Sequence, residues 1–80
     1  MDLKKKFDFI NGRLETLMAF QEISSYDYVA ISKQLMRAED HFDLSNVMTE
    51  METAVIKEQA RKEKQKRERE EKREARRRAQ

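Results

Sequence analysis

His41 stands between Asp40 and Asp43, with Glu39 close by, and catalytic or metal chemistry would first be sought there. A carboxylate beside an imidazole can orient it as a proton acceptor, and three neighbouring acids can attract a divalent cation. Nothing else in the chain completes such a site. There is one histidine, no cysteine and a single glycine. A zinc centre, a thiol nucleophile and a glycine-rich phosphate loop are therefore excluded, and neither HExxH nor EF-hand spacing occurs. The ordinary explanation is stronger: acids and an imidazole solvated near a helix C-terminus, where a side chain able to carry positive charge is favoured. We assign no catalytic residue, no metal ligand and no cofactor, and expect no small-molecule substrate.

The residues with something to do are instead cationic. Between Ile56 and Lys57 the chain changes character, and the only apolar residues in the last 24 positions are Ala60, Ala75 and Ala79. Residues 1–56 carry 6 Lys+Arg against 10 Asp+Glu, net −4, whereas residues 57–80 carry 12 against 6, net +6. On a helix turning about 100° per residue, Lys62, Lys66, Arg69, Arg73, Arg76 and Arg77 share one side, with Glu63, Glu70 and Glu74 on the other. Like charges four residues apart repel, so Lys62/Lys66 and Arg69/Arg73 slightly destabilise a free helix. Their alignment makes sense if an anionic surface lies along it, either a phosphate backbone or an acidic groove on a partner protein. No aromatic residue interleaves to stack on bases, and no Asn or Gln lies along the stripe to read base edges. Any nucleic-acid binding would therefore run through phosphates and ignore sequence. The opposite face has nothing apolar to bury in lipid, so a membrane role is not expected.

Elements that could hold this stripe follow from the apolar spacing. Leu3, Phe7, Ile10, Leu14 and Leu17 step alternately by four and three, the rhythm of a helix packing on other helices. Phe9, Phe20 and Ile23 fall on the opposite side of the same projection, so the helix is either central in a bundle or shared with another chain, and these three are taken as the association face. Asn11-Gly12 is a hairpin signal, but a strand pairing would set Asp8 against Glu15 and lacks a third strand. Helix is preferred there, at a cost of about 1 kcal/mol for the glycine.

Ser24, with Asp27 three residues on, reads as a helix start. Tyr28, Ile31, Leu35, Ala38 and Phe42 form a second seam. A break is predicted near residues 41–46, where Asp43 and Ser45 can each cap a third helix. Leu44, Val47, Met48, Met51, Ala54 and Val55 then make one stripe. No glycine or proline ends this helix at the charge boundary. Glu58–Lys62, Glu63–Arg67, Glu68–Lys72 and Glu74–Arg78 support its continuation by about 0.2–0.5 kcal/mol each.

The expected fold class is all-α: a helical hairpin or three-helix bundle at residues 1–56, and a basic helical arm at residues 57–80. A head this small, without disulfide or metal, is expected to be oligomeric or partner-bound. A helix-turn-helix reading fails because the polar face of the second helix, Asn46 to Glu52, is acidic and repels a duplex. The expected function is a non-catalytic interaction module with a protein or homo-oligomeric partner, nucleic acid being the alternative ligand and a scaffolding subunit a third reading. With no signal peptide and no membrane span legible, the expected compartment is cytoplasmic, or nuclear in a eukaryote.

Overall fold

A computed structural model describes residues 2–79. The all-α expectation holds: α1 spans Leu3–Ala19, α2 Ser25–Arg37 and α3 His41–Ala79. Each start is capped by a short polar side chain on otherwise unpaired N–H groups. The Asp2 carboxylate accepts from the Lys5 N–H at 2.8 Å and the Ser24 hydroxyl from the Asp27 N–H at 3.1 Å.

α3 departs from the expected caps. Asp40, rather than Asp43 or Ser45, begins it, because α2 already ends at Arg37 and the short connection leaves Asp40 at the first free turn. Its carboxylate accepts from the Asp43 N–H at 2.8 Å, and its carbonyl accepts from the Leu44 N–H at 3.1 Å. The Asp43 carboxylate reaches back to the Glu39 N–H at 2.9 Å.

α1 runs through Gly12 without a break and stops at a Schellman arrangement. The Gln21 N–H donates to the Met18 carbonyl at 3.0 Å and the Glu22 N–H to the Leu17 carbonyl at 2.8 Å. Gln21 itself takes the left-handed conformation, φ 56°. This reversal corrects one sequence expectation. Ile23 is only 3% exposed and belongs to the core, because the chain has left the helix before reaching it and the helical projection no longer applies. Phe9 and Phe20 stay exposed, at 54% and 72%.

Three long-range contacts give the direction of each helix. Lys6 Nζ lies 3.1 Å from Ser45 Oγ, Lys57 Nζ lies 3.2 Å from the Asp27 carboxylate, and Lys62 Nζ donates to the Gln21 carbonyl. α1 and α3 therefore run parallel, and α2 returns antiparallel between their ends. All three helices pack on one another. The shared core holds Ile10, Leu14 and Leu17 of α1, Ile31 and Leu35 of α2, and Leu44, Val47, Met51 and Ala54 of α3, with Ile23 closing the α1–α2 turn. Burial of each such aliphatic side chain is worth about 1.5–3 kcal/mol, before the entropy of ordering the chain is subtracted.

Two members of the expected seams lie outside the core. Leu3 is exposed in the first turn of α1. Phe42 is 73% exposed, because the seam of α2 ends with Ala38, whose extended backbone (ψ 130°) breaks the periodicity before Phe42 enters the first turn of α3. The molecule measures 63 × 19 × 19 Å, since α3 continues well past the ends of α1 and α2.

Candidate functional site: the charged face of the third helix

The candidate site is the stretch of α3 that leaves the packed head. Packing does not stop at Ile56. Asp27 holds Lys57, and Glu58 is the one buried charged residue among those described, at 5% exposure. Glu58 bonds to the Arg61 guanidinium one turn on. That hydrogen bond holds the Glu58 carboxyl below the usual carboxylate range against the opposing effect of burial, and raises Arg61 in turn. From Gln59 to Ala79 every side chain is exposed.

From Glu63 on the helix has its backbone bonds but no side-chain partner from another element among the described residues, so local effects must hold it. Residues 59–79 contain no glycine, proline or β-branched residue, a composition with high helix propensity. Of the acid-before-base pairs expected at i,i+4, Glu63–Arg67 is seen at 3.9 Å, with both side chains more than two-thirds exposed. Glu58 pairs with Arg61 and not Lys62, because Lys62 turns to the head and donates to the Gln21 carbonyl. That carbonyl lies just past the C-terminus of α1, where the helix dipole favours a cation.

Angular position is the informative part of the geometry. Counted at about 100° per residue, Leu44, Val47, Met48, Met51, Ala54, Val55 and Glu58 define the side of α3 that faces α1 and α2. Lys62, Lys66, Arg69, Arg73, Arg76 and Arg77 continue that same side, their mean direction turned by only about 30°. Core line and basic line are one face of one helix. Glu63, Glu70 and Glu74 stand about 90° round from it, a flank and not the reverse face expected from sequence.

Of the residues expected in an association face, Phe9 and Phe20 lie eleven positions apart, about 20° from alignment on the exposed side of α1, while Ile23 does not join them. Sequence reasoning missed the exposed Ile56 beside Arg13 and Leu17, and the exposed Val29 and Met36 on the outer face of α2. Their spacing carried a signal: Val29 and Met36 are seven apart and outside the α2 seam.

The acidic corner is used by the backbone. Asp40 and Asp43 cap α3 and His41 is exposed, and no three His, Asp or Glu side chains among the described residues gather to hold a metal ion. No described helix is long and apolar enough to cross a membrane. No protein-family model, curated protein or solved structure matches this chain.

Proposed function

We propose that this chain is a non-catalytic helical interaction module. A three-helix head, associated with a macromolecular partner through its exposed apolar residues, holds a basic helix against an anionic surface. The observation that carries this reading is the continuity of α3: a single unbroken helix presents apolar side chains where it packs on the head and, from Lys62 at the edge of the head onward, aligned cations where packing ends. A charged helix stabilised only by intrahelical pairs would gain from distributing its cations around the axis. This one concentrates them on the side that packing uses lower down.

Head and arm contribute differently. Exposed aromatic side chains such as Phe9 and Phe20 suit a desolvated anchor, and the arm supplies long-range, salt-sensitive steering. The test is capture of partners by the full chain and two variants, with and without nuclease. One variant carries Lys62→Gln, Lys66→Gln, Arg69→Gln and Arg73→Gln, the other Phe9→Ala and Phe20→Ala. All six sites are expected to tolerate replacement without loss of helicity by circular dichroism, since each side chain is exposed. Weaker capture by both variants supports the module. Capture untouched by the quadruple variant at physiological salt would refute a role for the basic line, and capture abolished by nuclease alone would replace the protein partner with nucleic acid.

A further inference from the structure

From the shared face of core line and basic line we infer that the arm is a berth for an acidic α-helix, laid along it as α1 and α2 lie along the lower half of α3. The inference rests on the reading above that the arm docks on an anionic surface, and names the shape of that surface.

Three observations converge on a helix. The first is position: the cations extend the side of α3 that accepts helices in the head, so an occupant there would stack beyond the α1–α2 turn. Lys62, hydrogen-bonded to the Gln21 carbonyl at that turn, marks the step. The second is dimension. From Lys62 to Arg77 the line runs about 22 Å at 1.5 Å per residue, with cations every three or four residues. Carboxylates at i, i+4, i+7 and i+11 on a facing helix recur at the same interval, so the two rows can pair in register. The third is the Glu63, Glu70 and Glu74 flank. A helix facing the arm meets only a narrow sector and leaves these acids in solvent. A duplex embracing the arm in its major groove would bring a phosphate strand against them, and like charges at close range repel. Charge complementarity on the line, and its opposite on the flank, select an acidic helix over a duplex.

The experiment uses the full chain and three labelled probes: two helical peptides of about 20 residues, long enough to span the line, and a DNA duplex of about 20 base pairs. The peptides have one Glu/Ala composition, the first with its glutamates aligned along one face, the second with them scattered around the axis. Surface ion pairs each change affinity by about two- to threefold, so an aligned row that makes three more of them should bind about tenfold tighter than the scattered one. The quadruple Gln variant, losing four pairs, should weaken the aligned peptide about 30-fold. Equal affinity for the two peptides overturns the helical berth while leaving the anion-docking arm intact. A duplex bound more tightly than the aligned peptide also overturns it. No affinity for any probe at low salt overturns the docking arm itself, and the berth with it.

Discussion

Gly12→Ala is expected to stabilise the head, and the magnitude follows from three properties of the site. Gly12 lies in the interior of α1, where glycine costs about 0.5–1 kcal/mol relative to alanine because it loses more backbone freedom on folding. Its φ is not in the positive range, so an L side chain adopts the same backbone without strain. A Cβ built there meets nothing within 4 Å. The Thr16 hydroxyl donates to the Gly12 carbonyl at 3.0 Å, and this bond does not involve the added methyl. No term opposes the entropic gain, so urea unfolding followed at 222 nm should shift to a higher midpoint with unchanged slope. The gain should be about 0.5–1 kcal/mol, or about 2–8 °C in Tm for a domain of this size. An unchanged or lowered midpoint would refute the reasoning. If the lowered midpoint also became less dependent on protein concentration, a second helix would be meeting α1 at Gly12.

Leu14→Ala should cost about 2–5 kcal/mol, because Leu14 is 0% exposed at the centre of the core, and should leave so small a head largely unfolded by circular dichroism. Gln21→Gly should raise stability by about 1 kcal/mol in the same urea assay, since Gln21 pays the left-handed penalty that glycine avoids. A chain ending at Ile56 should be about 1–2 kcal/mol less stable than one ending at Glu63. It lacks the Lys57–Asp27 pair and the Lys62 bond to Gln21, the first discounted for an exposed lysine. The Tyr28 phenol donates to the Glu15 carboxylate, and this hydrogen bond, with burial and the Glu15 charge, raises its pKa. Folding favours the protonated phenol, so the stability from this contact is complete below the unfolded value and lost as pH climbs through the raised one. Absorbance titration of Tyr26→Phe, in which Tyr28 is the only phenol left, should show a midpoint above the ordinary tyrosine value, and Glu15→Gln should bring it down.

Much of the core was legible because its residues sit inside regular helices. Ile10, Leu14 and Leu17, then Ile31 and Leu35, then Leu44, Val47, Met51 and Ala54 recur at the spacing that a packed face requires, and all are buried. The failures cluster at helix ends, where periodicity has no meaning. Ile23 and Phe42 were assigned by extending a helical rhythm past Ala19 and Arg37, where the backbone had already turned. The cap at Asp40 was missed because Asp, Ser and His crowd residues 40–45, and composition alone cannot say which comes first on the helix. The basic line itself was legible as a pattern of charge. Its coincidence with the core line was not, because that relation needs α3 to run unbroken through Glu58, a buried carboxylate in a stretch that reads as the beginning of solvent.

An unbroken α3 has a mechanical consequence. The angle at which the cations leave the head is set by residue count alone, like the bit of a key cut at a fixed angle to its bow. One residue inserted after Lys62 would advance the shaft by about 1.5 Å and swing everything beyond it by about 100°, and two would point the cations the opposite way. Seven would lengthen it by roughly 10 Å yet restore the bearing to within about 20°. Variants of this shaft that still fit the same lock should therefore differ in length by whole turns.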